Sequence, residues 1–393
     1  MRVALDGFPL SAPKTGVGHY TFELARTLAE ISPDDTFELI SPFPFTDTVV
    51  TELQQTSLPN LILNNPTSST FRRRWWAIGL PLFLRQHSFD VFHGTNYEVP
   101  LWNRKRNVLT IHDLSLQLHP QFHEAKLVRR ARRRLPLMVR SAALLIAVTE
   151  SMKREICEHL KVKPERVVVT PEAPRKTFRP LAASETLAIR QRLGIERNFI
   201  LTVGTIEPRK NLLTLARAFD RILRTTALTP QLVIAGGKGW LMEDFYSFIK
   251  SSGIEDHIRL IGYTSDYDLR ALYSSCRVCV YPSLYEGFGL PPLEAMACGA
   301  PLITSQIPAI TETVGHSALL VDPLNVEELA SSIVNLWNNE GELNRLSKAG
   351  IERAAQFTWE QTAKQTLEAY QGLVRGKQAA MGSEKRGQAH LPD

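Results

Sequence analysis

The stretch YPSLYEGFGLPPLEAMACG, residues 281–299, decides the fold of the second half of the chain. The apolar residues that lead into it, Cys276 to Tyr281, predict a buried strand. The pair Pro291–Pro292 falls where a helix would begin, because proline has no N–H to lose in the first helical turn. Between them, Gly287 and Gly289 allow a sharp turn and close approach of the backbone to a ligand. A strand, a glycine loop and a helix start together predict an anion site.

Two carboxylates flank this predicted anion site. Glu286 lies on the loop and Glu294 lies in the first helical turn. Carboxylates repel a phosphate unless they serve to hydrogen-bond hydroxyl groups, as an acidic residue does to a ribose in dinucleotide sites. The pattern therefore favours a phosphate ligand with hydroxyls on both sides, which describes a nucleotide sugar. The alternative is that Glu294 only complements the helix dipole and that Glu286 is a solvated loop charge.

A second phosphate signal lies eighty residues earlier. The predicted strand Phe199–Val203 runs into GTIEPRKN, residues 204–211, and then into a helix. Arg209 and Lys210 therefore lie at the carboxyl end of a strand, where arginine can bind phosphate with two hydrogen bonds and lysine as a point charge. A solvated pair of loop cations is the alternative interpretation.

Predicted strands alternate with helices in both halves of the chain, which is typical of α/β folds with parallel sheets covered on both faces. The prolines at 171, 174 and 180 indicate a linker between two domains. We expect a first domain over residues 1–175 and a second over residues 181–357. A last helix is expected at about 358–374, followed by a polar, disordered tail at 376–393.

Three further positions in the first half could contact a ligand. The glycines of Thr15–Gly18 lie between the first strand and the first helix, where either a phosphate or a tight turn would require them. His93 and His112 each fall at the carboxyl end of a predicted strand, the edge at which ligands bind in such sheets. A single histidine is more often structural, and of the two His112 is the stronger candidate.

Positive charge is concentrated in the first half of the chain. Residues 1–180 hold 25 Lys and Arg against 17 Asp and Glu, although the whole chain carries only +6. Basic residues and tryptophans at 72–76, and a basic helix predicted within 124–140, suit an anionic membrane surface as well as a solvated helix face. Nucleic acid is the weaker option, because no recognition module is evident.

Four cysteines, no apolar run near 20 residues and no signal peptide favour a reducing cytoplasm. Cys276 and Cys279 form a single C-x-x-C within an apolar strand. They are therefore expected in the core, since a zinc site would need a second pair.

The motifs TGVGHYT, TIHDL, VGTIEPRKN, GYTSDYDL and YPSLYEGFGLPPLEAMACGAPLI resemble the retaining glycosyltransferases of family four, and in particular the bacterial mannosyltransferases that build O-antigen polysaccharides. The resemblance extends from residue 1 to about 374. It implies two Rossmann-like domains facing across a cleft, the GT-B-type architecture, with the last helix crossing back to the first domain. It also implies that the acceptor binds mainly to the first domain and the nucleotide sugar mainly to the second.

The resemblance also implies roles for individual residues. Glu294 would hold the ribose hydroxyls, Glu286 would contact the sugar ring, and His112 would contact the transferred sugar. The diphosphate would be bound by both loop cations, Arg209 and Lys210, and by the backbone near Gly16, Phe288, Gly289 and Leu290. Thr205 stands where many relatives have a phosphate-binding arginine, so Arg209 is expected to replace it.

The implied reaction is hexosyl transfer with retention of configuration, most simply of mannose from GDP-mannose to a lipid-linked or oligosaccharide acceptor. A UDP-sugar donor and a nucleotide-sugar epimerase of similar fold remain alternatives. The resemblance also implies that cationic side chains neutralise the leaving diphosphate, so no metal or other cofactor is expected. The protein would then work in the cytoplasm, either free or bound to the inner face of the plasma membrane, and not on nucleic acid.

Overall fold

The computed structural model describes residues 1–66, 72, 74–101 and 106–387, with side chains described up to residue 376. The chain divides into two compact units. The first contains Met1–Leu114, Arg129–Glu172 and Trp359–Asp393, and the second contains Ser115–Val128 and Ala173–Thr358.

The segment Ser115–Val128 belongs to the second unit, although the sequence placed it in the first domain. Its contacts explain the difference. The indole N–H of Trp240 donates to the backbone carbonyl of Phe122 at 2.8 Å. The rings of His119 and Tyr285 lie 4.6 Å apart. Such contacts join residues more than 100 positions apart, so local sequence patterns do not reveal them.

The first unit is built on a seven-stranded parallel sheet with the order β3-β2-β1-β4-β5-β6-β7. Its central strands are buried except for Arg2 at the start of β1, as expected of a parallel sheet covered on both faces. The strands are β1 Arg2–Asp6, β2 Thr36–Ile40, β3 Leu61–Asn64, β4 Val91–Gly94, β5 Asn107–Ile111, β6 Leu144–Ala147 and β7 Val167–Val169. The α-helices up to residue 160 are α1 Gly16–Ile31, α2 Asp47–Gln54, α3 Leu80–Gln86, α4 Ser115–Leu118, α5 Ala125–Ser141 and α6 Glu150–Leu160.

The second unit is built on a six-stranded parallel sheet with the order β10-β9-β8-β11-β12-β13. Its strands are β8 Phe199–Val203, β9 Gln231–Ala235, β10 Ile258–Gly262, β11 Val278–Tyr281, β12 Leu302–Ser305 and β13 Leu319–Val321. Its helices from residue 183 onward are α7 Ala183–Arg192, α8 Leu212–Thr225, α9 Glu243–Ser252, α10 Asp266–Ser275, α11 Leu290–Ala297, α12 Pro308–Val314, α13 Val326–Trp337 and α14 Glu340–Ala354. Cys276 and Cys279 are buried, as predicted.

In both sheets the strand order reverses beside the first strand of the unit. The reversal lies between β1 and β4 in the first sheet and between β8 and β11 in the second. Ligands of open α/β sheets bind beyond the carboxyl ends of the strands at such a reversal. Each unit therefore has one edge at which a site is expected.

The last helix, α15 Trp359–Gly387, belongs to the first unit and packs against α1. Trp359 and Tyr370 are fully buried, and Thr362 donates to the carbonyl of Pro171 at 2.6 Å. The helix continues beyond the predicted end at about 374, so residues 376–387 are helical where the sequence predicted disorder. Alanine, glutamine, lysine, glutamate and arginine make up seven of these twelve residues and have high helix propensity. Residues 388–393 lie outside the described residues.

Two further observations concern membrane contact. Within the described chain, no helix is long and apolar enough to cross a bilayer. Of the tryptophans predicted beside a basic run, Trp75 is only 6% exposed and belongs to the core, while Trp76 is partly exposed. The expectation that Trp75 meets lipid headgroups is therefore wrong, and Arg73 of that run lies outside the described residues.

Candidate active site

Two loops meet at the strand-order reversal of the second unit. The loop after β8 carries Arg209 and Lys210, and the loop after β11 carries Glu286. The backbone N–H of Leu284 donates to the carbonyl of Arg209 at 2.8 Å, and Arg209 Nη1 donates to the carbonyl of Tyr285 at 3.0 Å. The two predicted phosphate signals thus lie in one place.

Glu286 is at the centre of this cluster. Its Oε2 accepts from Arg209 Nη1 at 2.7 Å, and its Oε1 accepts from Lys210 Nζ at 2.7 Å and from the Tyr281 hydroxyl at 2.9 Å. Burial by itself would raise the pKa of Glu286, but Arg209 and Lys210 outweigh it and lower the pKa to about 2. The carboxylate is therefore ionised throughout the physiological range.

Glu207 is a second carboxylate of the cluster, and sequence reasoning missed it. It accepts from Arg209 Nη2 at 2.6 Å and is 4% exposed. Burial, together with the charge of Arg209, lowers the pKa of Lys210. Two cations and two carboxylates thus hold one another in fixed positions, and a phosphate bound here would meet cations that need no rearrangement.

The start of α11 completes the anion site. Gly289 has φ +100°, a left-handed conformation that favours glycine, and a Cβ there would lie 2.5 Å from Ile310 Cδ1. The carbonyl of Phe288 accepts from Thr313 Oγ1 at 2.7 Å, which fixes the turn. Within the described residues the N–H groups of Phe288, Gly289 and Leu290 donate no hydrogen bond, as is usual for the first turn of a helix.

Glu294 lies one turn into α11 and is 6% exposed. Its Oε1 accepts from Arg175 Nε at 3.1 Å and from Arg175 Nη2 at 2.9 Å. Arg175 also pairs with Asp266. Burial would lower the pKa of Arg175, but these two carboxylates raise it. No local sequence pattern marks Arg175, because its partner lies 119 residues away.

Thr205 is exposed and follows Gly204 on the β8 loop. The predicted replacement of a family arginine by Arg209 is compatible with this geometry, because Arg209 comes from the same loop and enters the cluster at Glu286.

In the first unit, His112 lies at the end of β5 with acceptors at both ring nitrogens. Its Nδ1 lies 2.8 Å from Glu172 Oε1, and its Nε2 lies 2.8 Å from the carbonyl oxygen of Thr95. Burial would lower the pKa of His112, but Glu172 outweighs it and raises the pKa. Both ring nitrogens already have partners, so a hydroxyl that bound Nε2 would have to displace the carbonyl of Thr95.

His93 forms part of the interior instead. Its nitrogens bond the hydroxyls of Tyr370 and Thr110 at 2.6 and 2.7 Å, and burial lowers its pKa to about 3. This neutral ring joins β4 to α15, so the structural interpretation of His93 holds.

Gly16 is the first residue of α1, and a Cβ placed there would have no neighbour within 4 Å. Packing therefore does not require this glycine.

Asp6, at the end of β1, is a residue that sequence reasoning missed. Its Oδ1 accepts from the N–H of Phe8 at 3.0 Å, while its buried Oδ2 has no hydrogen-bond partner among the described residues. Burial raises its pKa to about 8. In the sequence, its position directly after the apolar run Val3–Leu5 was the signal that could have pointed to it.

In the described part of the chain, no group of three or more His, Cys, Asp or Glu side chains could hold a metal ion.

Comparison with known proteins covers both halves of the chain. The model of "Glycosyltransferase Family 4" matches residues 14–173, and that of "Glycosyl transferases group 1" matches residues 185–353. The O-antigen chain mannosyltransferase B of Escherichia coli is 30% identical over 95% of this chain and 100% of its own length. The MMP alpha-(1->4)-mannosyltransferase of Mycolicibacterium hassiacum is 28% identical over 95% of this chain and 98% of its own.

Among solved structures, sucrose-phosphate synthase from Thermosynechococcus elongatus superposes with a TM-score of 0.75 at 21% identity, covering 96% of this chain and 100% of that one. This likeness supports the predicted fold of two parallel-sheet α/β units.

Proposed function

Because this chain belongs to the glycosyltransferases of family 4, we propose that it transfers mannose from GDP-mannose, with retention of configuration, onto a growing lipid-linked polysaccharide. The choice of mannose is supported by full-length similarity to a relative named as an O-antigen chain mannosyltransferase. One structural observation carries the proposal, namely the cluster of Arg209, Lys210 and Glu286 beside the start of α11.

The cluster suits a leaving diphosphate. As the glycosidic bond breaks, charge develops on the phosphate oxygen, and fixed cations stabilise that state more than the ground state. Arg209 and Lys210 would supply the charge, and the N–H groups of residues 288–290 would supply directed donors. In this proposal the cationic side chains do the work of a metal, so transfer should continue in the presence of a chelator.

Glu286 is poorly suited to act as a nucleophile. Its Oε1 is shared by Lys210 and Tyr281, its Oε2 is bound by Arg209, and its pKa is about 2. A carboxylate so strongly stabilised gains little by attacking carbon. This favours substitution on one face of the sugar, with the leaving phosphate taking the acceptor's proton, over a covalent double displacement. Glu286 would instead orient the cations and accept a hydrogen bond from the sugar ring.

The second unit would also bind the ribose of the donor. Glu294, held by Arg175, would accept hydrogen bonds from the ribose hydroxyls. The acceptor would be bound mainly by the first unit, with His112 contacting the transferred sugar. The basic face of α5 would bring the enzyme to the cytoplasmic surface of a membrane that carries the acceptor.

A thermal-shift panel of GDP-mannose, UDP-glucose, UDP-N-acetylglucosamine and ADP-glucose tests the donor. A ligand at 100 times its dissociation constant adds about 2.7 kcal/mol of stability, so GDP-mannose should raise Tm most. A larger shift with a UDP-sugar would contradict the choice of donor. The anomeric configuration of the product, read by NMR, tests retention. Epimerisation of the nucleotide sugar without an acceptor would contradict the transferase itself.

A further inference from the structure

A cavity of about 370 Å³ lies within the second unit beside the β8 loop. Its wall includes Ile206, Lys238, Trp240, Met242, Glu243 and Tyr246. We call it the Trp240 pocket. Small-molecule sites are typically of this size, mostly apolar and aromatic, with a few polar groups that fix orientation. No residue assigned above to the nucleotide or the diphosphate lines it.

Trp240 is held in place by residues that do not line the cavity. Its indole N–H donates to the carbonyl of Phe122 at 2.8 Å, and the ring of His123 lies 6.3 Å from it at 35°. The hydrogen bond satisfies the only polar group of the side chain. The indole is therefore a fixed apolar wall, preorganised for a flat partner.

The backbone of the pocket is also specialised. Leu241 has φ +53°, a left-handed conformation that is unfavourable for a branched side chain. A Cβ at Gly239 would lie 2.3 Å from the carbonyl oxygen of Ile206. Strained residues persist where the surrounding structure imposes them, and they cluster at binding sites. Gly239 and Leu241, on either side of Trp240, thus hold the backbone of the pocket in a constrained conformation.

The polar groups of the pocket carry opposite charges. Lys238 is a donor and Glu243 an acceptor, and neither forms an ion pair within the described part of the chain. The Glu243 carboxylate would repel a phosphate or an anionic headgroup, and Lys238 is the one cation among the residues that line the pocket. A sugar ring fits this lining. It offers an apolar C–H face to the aromatic wall, and its hydroxyls can accept from lysine and donate to glutamate.

We propose that the Trp240 pocket binds a hexose ring of the acceptor glycan, stacked on the indole of Trp240. The identity of the glycan rests on the proposed function, since a growing polysaccharide supplies further hexoses near the reacting one. Ile206 links the pocket to the transfer site, because it lies on the same loop as Arg209 and Lys210. The pocket would therefore hold the acceptor chain at a second point on the unit that binds the donor.

Saturation-transfer NMR and titration with α-linked mannotriose, in the presence of saturating GDP, test this assignment. Trp240→Ala should weaken mannotriose binding about five- to tenfold, the loss expected for an aromatic stacking contact. Trp240→Phe should recover most of the affinity, because it keeps an aromatic face without the indole N–H. Leu260→Ala, at a position 48% exposed on β10, is the control and should bind like the wild type. The affinity for GDP should stay within about twofold in every variant.

Three outcomes would overturn the proposal: no binding of mannotriose to the wild type, equal binding by Trp240→Ala, or a parallel loss of GDP affinity, which would make this a nucleotide pocket. Should Trp240→Ala unfold, Glu243→Gln at the pocket wall is expected to weaken mannotriose binding in a folded protein. The test is independent of transfer. If GDP-mannose proves not to be a donor but mannotriose binding still depends on Trp240, the proposed function fails and the pocket stands.

Discussion

Arg175 organises the carboxylates around the proposed ribose site. Its guanidinium bonds Glu294, pairs with Asp266 and lies 4.4 Å from the centre of the Phe178 ring. Held on several sides, it fixes Oε1 of Glu294 and so sets the direction of that carboxylate. A ribose hydroxyl would thus meet a carboxylate with one orientation, which reduces the entropy lost on binding.

Glu294→Gln tests the ribose role, because glutamine keeps the shape and removes the charge. A charge-assisted hydrogen bond contributes about 1.5–3 kcal/mol, so the affinity for GDP should fall about 10- to 100-fold by calorimetry. Glu340→Gln is the control, since Glu340 forms an exposed ion pair with Arg277 in the same unit. Unchanged GDP affinity in folded Glu294→Gln would refute the ribose contact.

Asp6 gives a second prediction, on stability against pH. Its pKa is raised by burial to about 8, so the folded state holds a proton that the unfolded chain releases near pH 4. A carboxyl group whose pKa is higher in the folded than in the unfolded state stabilises the fold most at low pH. This contribution is lost as the pH rises towards 8. Asp6→Asn, which keeps the acceptor for the N–H of Phe8, should remove that dependence.

The measurement is the free energy of unfolding by denaturant at several pH values from 5 to 8. For each unit of rising pH, the free energy of unfolding of wild type should fall by about 1 kcal/mol relative to that of Asp6→Asn. Parallel pH curves for the two proteins would show that Asp6 is ionised in the fold and that this prediction is wrong.

At the level of elements, the sequence predicted most of the two sheets. The predicted strand Phe199–Val203 has the bounds observed for β8, because buried parallel strands are continuous apolar runs. Strands β12 and β13 were missed. They contain only four and three residues, and their assignment depends on pairing with β11 and with each other.

The position of the residues in the topology decides which parts of the site could be predicted. Arg209, Lys210 and Glu286 lie in loops at strand ends, and parallel topology brings such loops to one edge. Glu172 and Arg175 lie in the linker and reach partners 60 and 119 residues away. No local pattern marks those pairings, and only the folded chain reveals them. The functional roles of all these residues stay predictions.

Gly16 allows a test of the α1 terminus. A Cβ there has no neighbour, so Gly16→Ala should keep or raise stability by about 0.4–1 kcal/mol through the unfolded state. If a phosphate approaches this backbone, the methyl group displaces it, and transfer should fall at least about tenfold.

Gly372→Ala is the matched control, because Gly372 lies in α15 and a Cβ there also meets nothing within 4 Å. It should show the same gain in Tm with unchanged transfer. Full activity of Gly16→Ala would exclude close approach of the donor to this residue.

At the scale of the whole molecule, the uneven charge has a structural counterpart in α5. Arg129, Arg130, Arg132, Arg133 and Arg140 are exposed on this helix, as are Leu127 and Leu137 at 45% and 46%. Arg134 is different, because its Nε donates to Glu98 at 2.8 Å and its charge is matched within the fold. The structure therefore narrows the basic surface expected to meet lipid to the exposed arginines.

Replacing three exposed arginines with glutamine should weaken binding to vesicles that contain anionic lipid; the three are Arg129, Arg130 and Arg133. Each basic residue near such a surface contributes about 1 kcal/mol, so the loss should be about 100-fold in sedimentation at low salt. Binding of the wild type should fade as salt is added, because exposed charges are screened beyond about 10 Å at 0.1 M. The triple variant Arg221→Gln, Arg224→Gln and Arg345→Gln removes the same charge from the second unit and should bind like the wild type. Docking through α5 would be contradicted if the wild type does not bind anionic vesicles, or if this control loses as much vesicle binding. The transferase proposal does not depend on either result.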